Sequence, residues 1–498
     1  MNGPRILAID QGTTSTRAVM FDAQARALAT SQIPLPQIFP RDGWVEHDPE
    51  EIWKAVVQVC RDVIAKTGGV DGIAAIGITN QRETTVAWDR RTGRAAMNAI
   101  VWQDRRGADM CRALVAKGHE PLIQARTGLL ADSYFSATKI AWMLENVSGL
   151  RDAAETGQIC FGTIDSFLLS RLTGGRVHAT DATNASRTML YDIRRGVWDD
   201  DLLALFRVPR DTLPEVRDNA GAFGTTDPAL FGAAIPIMAM VGDQQGALVG
   251  QACFAPGMIK STYGTGCFVL VNTGETAPTS RNRLLTTIGY RLQGRTTFAL
   301  EGSIFNAGTV VQWLRDGLGL IPDAAASEGL AAGLDGHGGN GNVYFVPAFT
   351  GLGAPHWDPD ARGAILGLAR DSTRAHVVRA GLESVCYQTH DLLNALAADG
   401  MGAPSALRVD GGMAANQWLL QFLSDITGLP VERPAYGETT VLGAAFLAGL
   451  GSGIFQSLHD IEAAWRLDFR AQPTRPQAHR TELLAGWQQA ISRVVHQR

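Results

Sequence analysis

Apolar residues fall in short runs along this chain, and polar or small residues close each run. Residues 5–9 (RILAI) stop at Asp10-Gln11-Gly12-Thr13-Thr14-Ser15-Thr16, and residues 17–21 (RAVMF) follow at once. That pattern predicts two strands joined by a small-residue turn. Asp48-Pro49-Glu50-Glu51 carries the signals of a helix start. Asp48 can cap, proline suits the first helical position, and Glu51 is placed to complete a capping box. This start accounts for Asp48, leaves Glu46 and His47 as surface residues, and argues against a metal cluster of the three. Residues 72–79 (GIAAIGIT) are strand-like, and 105–116 and 137–145 read as helices. Residues 158–163 are a further apolar run, leading into a helix after Asp165. Strand and helix in alternation predict an α/β architecture.

A similar pattern returns near the middle. Residues 235–240 end at Val241-Gly242-Asp243-Gln244-Gln245-Gly246, much as 6–9 end at Asp10-Gln11-Gly12, and a second small-residue hairpin spans 259–270 (IKSTYGTGCFVL). The repetition predicts two similar domains, 1–250 and 251–498, with Asp243 on the strand that opens the second half. Residues 333–341 (GLDGHGGNG) read as a loop and not a phosphate cradle, because no helix start follows. Residues 407–413 read as a strand ending in a glycine turn, 416–427 as a helix, and 482–496 as a closing amphipathic helix.

Composition narrows the class. A chain of 498 residues exceeds one core, and 45% hydrophobic with 19% charged residues is ordinary for a globular enzyme. The net charge of -5, without a run of Lys and Arg, argues against nucleic acid or an anionic membrane surface as partner. The six cysteines form no CxxC pair, which predicts reduced, buried thiols and a cytoplasmic setting. The first residues lack a signal-peptide pattern, and no stretch approaches the roughly 20 apolar residues of a spanning helix.

Candidate chemistry gathers at the strand ends. Turns of Gly, Thr and Ser let backbone N–H groups approach an anion, and 12–16 and 264–266 both have this makeup. Asp10, just before the first turn, suits Mg²⁺ held partly through water, and Arg17 suits the charge of a phosphate in transfer. Two ordinary hairpins remain the plain alternative, since neither turn matches GxxxxGK[ST]. Arg82 and Glu83 follow a strand and offer donors and acceptors for vicinal hydroxyls, or else form a surface ion pair. Trp102, Tyr134 and Phe268 can wall a carbon backbone, or belong to a core. Asp243 at a strand tip suits a base that takes a proton from an attacking hydroxyl.

In this order the segments resemble the FGGY family of carbohydrate kinases. The resemblance rests on 10–17, 43–49, 79–84 (TNQRET), 101–103, 134–146, 162–165, 180–190 (TDATNASRTML), 242–245, 261–268, 345–357 and 409–416. It implies two actin-like or hexokinase-like (ribonuclease H-like) domains flanking an ATP-binding cleft, with glycerol phosphorylated by ATP and Mg²⁺. Arg82, Glu83, Tyr134, Asp243 and Gln244 would hold the glycerol hydroxyls, with Trp102 and Phe268 against its carbons. Asp243 would be the catalytic base, assisted by Arg17, and Asp10 with Asp243 would bracket the metal. Thr13, Thr14, Ser15 and Arg17 would meet nucleotide phosphates from one side, and Thr265, Gly308 and Gln312 from the other. Gly412 and Asn416 would meet the adenosine. A homodimer or homotetramer is also implied. The alternatives are a kinase for another polyol or a ketopentose, and a non-catalytic nucleotide switch.

Some family members carry a Gly-Thr-Arg segment that binds fructose 1,6-bisphosphate as an inhibitor; here the stretch reads Phe231-Gly232-Ala233-Ala234. With no guanidinium at Ala234 to take the phosphate, millimolar fructose 1,6-bisphosphate should leave turnover essentially unchanged. An inhibition curve like that of a sensitive member would refute this.

Overall fold

The computed structural model describes residues 3–335, 339–356, 358 and 360–495. The middle of the 333–341 stretch, Trp357 and His496 lie outside the described residues. Six strands form the first sheet, in the order Ala220–Thr225, Pro236–Gly242, Ile73–Asn80, Arg5–Gln11, Ser15–Asp22, Ala27–Pro34. Arg5–Gln11 pairs antiparallel with its hairpin partner Ser15–Asp22 and parallel with Ile73–Asn80, which pairs parallel with Pro236–Gly242. Seven strands form another sheet, in the order Leu285–Leu292, Arg295–Ile304, Cys267–Gly274, Ile259–Tyr263, Leu407–Asp410, Val431–Pro434, Leu467–Ala471. Its hairpin Ile259–Tyr263 and Cys267–Gly274 again borders two parallel strands on one side and an antiparallel strand on the other. The ribonuclease H-like order therefore occurs twice, as expected.

One expected correspondence is corrected. Pro236–Gly242 is a parallel strand of the first sheet, so 235–240 is not the counterpart of 6–9 and does not open the second half. The counterpart of Arg5–Gln11 is Ile259–Tyr263. Any buried parallel strand reads as an apolar run with polar residues at its carboxyl end, so the pattern carries no information about sheet position. The helix Pro49–Lys66 starts where expected, but Asp48 accepts from the Glu50 N–H at 2.8 Å, and the Glu51 carboxylate turns to Lys54 instead of closing a capping box.

The helix Thr439–Gly451 (TTVLGAAFLAGLG) is apolar all round, the composition of a helix buried on every side. It follows Val431–Pro434 of the second sheet in sequence yet packs on the first. Val441, Ala444, Ala445 and Ala448 share a core with Ile6, Ala8, Val19, Ala75, Ala239 and Val241. It also crosses the helix Asp243–Gly250 almost backbone to backbone. A Cβ at Gly443 would lie 1.8 Å from the Gly246 carbonyl oxygen, and one at Gly250 would lie 2.0 Å from that of Thr439. Only glycine fits such a crossing.

Gly443→Ala should therefore force the two helices apart and destabilise the protein by about 1–3 kcal/mol, the usual range for overpacking. A denaturant midpoint equal to that of the unmodified chain would show that the crossing relaxes freely.

Candidate active site

The three parallel strands of the first sheet end level, with Gln11 opposite Asn80 and Asn80 opposite Gly242. Ligands of open α/β sheets bind beyond the carboxyl ends of such strands. The 12–15 turn, Gln81-Arg82-Glu83 and Asp243-Gln244-Gln245 all leave the sheet at this edge.

Asp243 is the first residue of the helix Asp243–Gly250. Its Oδ1 accepts the Gln244 N–H at 2.6 Å and faces Arg82 Nε at 3.0 Å, and its side chain is 30% exposed. Its hydrogen bond and its ion pair among the described residues both go to Oδ1, so Oδ2 is available as an acceptor. Arg82 is buried. Its Nη1 donates to Glu301 Oε2 at 2.5 Å and to Gln245 Oε1 at 3.2 Å. Glu301, on Arg295–Ile304 of the second sheet, accepts Arg187 Nη2 at 2.8 Å through its other oxygen, and Arg187 Nε donates to Glu83 Oε1 at 2.6 Å. Asp243, Arg82, Glu301, Arg187 and Glu83 thus form one alternating chain of charge across both halves. Burial raises the Glu83 carboxyl above its ordinary value against the pull of Arg187 and Arg82. At Glu301 burial acts the same way, but Arg187 and Arg82 together outweigh it and hold the carboxyl low. Glu83 adopts φ 59°, uncommon for a residue with a side chain, and its carbonyl is held by the hydroxyls of Thr85 and Ser136.

Three aromatic rings meet beside this chain. Trp102 lies 5.6 Å from Tyr134 and 6.4 Å from Phe268, centroid to centroid, each edge to face, and Arg82 sits 6.0 Å over the Phe268 ring. Trp102 Nε1 donates to Thr13 Oγ1 at 2.9 Å, which ties the aromatic wall to the first small-residue turn. Lys139, buried, donates to the carbonyls of Ser133, Tyr134 and Phe135 and so fixes the Tyr134 loop. Under the turn, Gln81 bonds Gln11 at 3.0 Å and His47 Nδ1 at 3.3 Å. Glu46 and His47 are not surface residues, as the sequence suggested. Both are buried in a short strand, Glu46 against Arg106 and Asn98, and burial pushes His47 down to about 4.

Asp10 is the last residue but one of Arg5–Gln11. Desolvation raises its carboxyl to about 7; Arg17 opposes the shift, and Asp243 and Glu438 add to it. Arg17 pairs with Glu438 and bonds Gln32 Oε1 at 3.2 Å. In the second half, the Gly308 N–H donates to the Gly264 carbonyl at 2.9 Å, and the Thr265 carbonyl accepts Thr309. The 264–266 turn is thereby joined to the helix Gly308–Gln312. Gly412 and Asn416 bound one short turn, where Asn416 Oδ1 caps the helix Gln417–Thr427 through Leu419 N–H at 2.9 Å. No hydrogen bond or ion pair among the described residues links either of these groups to the 12–15 turn.

Arg82, Glu83, Trp102, Tyr134, Asp243 and Phe268 are thus brought together. Arg187 and Glu301 belong with them but escaped the sequence reading. Their signal was a charged residue inside an otherwise apolar or small-residue stretch, TNASRTML and FALEGS. Glu301→Gln leaves two buried guanidinium groups short of a counter-charge and should cost about 3–5 kcal/mol. Because the carboxyl is held low in the folded chain, its contribution is present above the ordinary glutamate range and lost as pH falls through the lowered value. Denaturation of both forms at neutral pH and at acid pH should show a gap that closes on acidification. A gap under 1 kcal/mol at neutral pH would refute it.

Residues 5–250 match the N-terminal domain, and 259–452 the C-terminal domain, of the FGGY family of carbohydrate kinases. Glycerol kinase of Rhodospirillum centenum is 62% identical over 492 residues, covering 98% of each chain. Glycerol kinase 1 of Pseudomonas aeruginosa is 60% identical over 490 residues, covering 98% of each. The crystal structure of Plasmodium falciparum glycerol kinase with ADP matches with a TM-score of 0.93 at 37% identity, over 100% of this chain and 99% of that one. Gluconate kinase of Lactobacillus acidophilus matches at 0.88 and 22% identity over 99% of each chain, a likeness of fold alone.

Proposed function

The chain belongs to the FGGY family of carbohydrate kinases, and from that premise we propose that it transfers the γ-phosphoryl group of ATP to glycerol, giving sn-glycerol 3-phosphate and ADP. The observation that carries this reading is the carboxylate of Asp243, held by Arg82 beside an aromatic wall and at the same strand edge as the 12–15 turn.

Arg82, Glu83, Tyr134, Asp243 and Gln244 hold the three hydroxyls, and Trp102 and Phe268 cover the carbons. The rings of Trp102, Tyr134 and Phe268, in contact with one another, should leave little room and so favour a three-carbon polyol over a pentulose. Asp243 Oδ1 is occupied by Arg82 and the Gln244 N–H, so Oδ2 takes the proton of the attacking hydroxyl. The alcohol oxygen forms its bond to the γ-phosphorus as the bond to the β-bridging oxygen breaks, and ADP leaves with that electron pair. The 12–15 turn and Arg17 hold phosphate oxygens from one side, Thr265, Gly308 and Gln312 from the other. Gly412 and the Asn416 amide NH₂ meet the adenosine; the Asn416 oxygen is already used as a cap.

Asp10 and Asp243 fit Mg²⁺. Mg²⁺ takes few carboxylates and keeps water and phosphate oxygens, so these two side chains suffice to hold it. The raised Asp10 carboxyl lacks a full counter-charge. When bound, the ion neutralises charge on the β- and γ-phosphates. A cytoplasmic setting agrees with six buried free cysteines, and no helix of the described residues is long and apolar enough to cross a membrane.

ADP release in a coupled assay, with glycerol against a panel of polyols and ketopentoses, tests the substrate; preference for a pentulose would overturn it. Asp243→Asn should lower kcat by about 10²–10⁴-fold while ATP binding persists. Near-normal turnover would remove Asp243 from the mechanism.

A further inference from the structure

Lys260 is buried with 0% exposure, and no step above uses it. It is the second residue of Ile259–Tyr263, level with Leu270 and Arg408 on the flanking strands. An ammonium has three N–H donors, and three acceptors meet it here: Gln244 Oε1, Thr262 Oγ1 at 3.0 Å and the Phe268 carbonyl at 3.3 Å. Two of these belong to residues assigned to the polyol pocket, one from each half of the chain. The carboxylates of Asp410, Glu301 and Asp243 also act on it, against Arg82 and the cost of burial.

The contact with Gln244 has a chemical consequence. An amide's oxygen and nitrogen are exchanged by a half-turn of the side chain, and both orientations have the same shape. Lys260 only donates, so the atom facing it must be the oxygen, and the NH₂ group must point elsewhere. Without the ammonium, either orientation is open to Gln244, and half of them present the wrong polarity to a hydroxyl. The same nitrogen also donates to the Phe268 carbonyl, but that strand is already held by pairing on both sides, so the amide of Gln244 is the group whose orientation depends on Lys260.

We propose that Lys260 is a positioning residue for the transfer reaction: it locks the Gln244 amide with its NH₂ toward the polyol. The proposal rests on the reading that Gln244 faces glycerol, and the experiment separates the two. Steady-state kinetics of the full-length chain are measured for Lys260→Met, Gln244→Leu, the double variant and Lys260→Gln. A charge-assisted hydrogen bond supports a rise of about tenfold in the KM for glycerol in Lys260→Met, with the KM for ATP within about twofold. The double variant should be no worse than Gln244→Leu alone, because both changes remove one shared interaction. Lys260→Gln, whose amide N–H can donate to the same oxygen, should recover part of the loss.

If Gln244→Leu leaves the glycerol KM unchanged, the placement of Gln244 at the polyol fails, and the proposal with it. If Gln244→Leu raises KM but Lys260→Met does not, or if the two losses multiply, that placement stands and Lys260 has no positioning role. Equal losses in both KM values would mark Lys260 as a general structural residue and overturn the proposal. Should Lys260→Met fail to accumulate folded, Lys260→Gln and its double variant with Gln244→Leu give the same discrimination.

Discussion

Two arginines with no access to water must find negative charge within the protein, and that requirement organises the site. Arg82 and Arg187 are supplied by Asp243, Glu301 and Glu83, and the alternation leaves no like charges adjacent in the chain of contacts. Desolvation alone makes each buried ion expensive, so the arrangement is tolerable only when every member is present. Glu301 comes from the second sheet and the other four from the first half of the chain. The network therefore closes only when the halves are correctly seated, and seating them presents Asp243 and Glu83 in fixed orientations. What would be an ordinary cost of folding becomes preorganisation of a site that must place a hydroxyl beside a base.

A second constraint makes that seating possible. The carboxyl edge of the first sheet must reach the second without a layer between them. The crossing of Asp243–Gly250 with Thr439–Gly451 achieves it by removing side chains altogether at Gly246, Gly250 and Gly443. Asp243 begins one of these helices and Glu438 immediately precedes the other. The contact that joins the two halves thus also sets the positions of the Asp243 carboxylate and of the partner of Arg17.

How much of this could be read from the chain follows from locality. Asp10, Arg82 and Asp243 stood out because each follows an apolar run, and a polar residue at a buried strand's end has few roles but a site. Arg187 and Glu301 were lost because their partners lie more than a hundred residues away, whereas the acceptors of Lys260 at Thr262, Phe268 and Gln244 are near in sequence but meet it only once the hairpin and the helix after Gly242 are folded. Gly308 and Gln312 bound a short helix and Asn416 caps another, none with any local peculiarity, and only the family resemblance pointed to them. The misplacement of 235–240 has a similar root: strand periodicity reports burial, whereas sheet order depends on crossovers. His47 and Glu46 were misread because a buried polar pair and an exposed one have the same letters. Only Gln81 and Arg106, brought in by the fold, distinguish them.

The same magnitudes decide where the molecule can move. Separating Arg82 from Glu301 would strand buried charges at a cost of about 3–5 kcal/mol, a large part of a typical folding free energy. The pairing of Arg17 with Glu438 is different. The Glu438 side chain is 56% exposed, and pairs of that kind are worth about 1 kcal/mol or less. A phosphate oxygen would offer Arg17 at least as good a partner as Glu438, whereas the buried chain from Asp243 to Glu83 does not open at that cost. The 264–266 turn is tied to the helix Gly308–Gln312 and shares no hydrogen bond with 12–15 among the described residues, so its ties lie within the second half. Rearrangement is therefore cheaper at the Arg17–Glu438 pair than within the chain of charges from Asp243 to Glu83, whose members already hold one another in place.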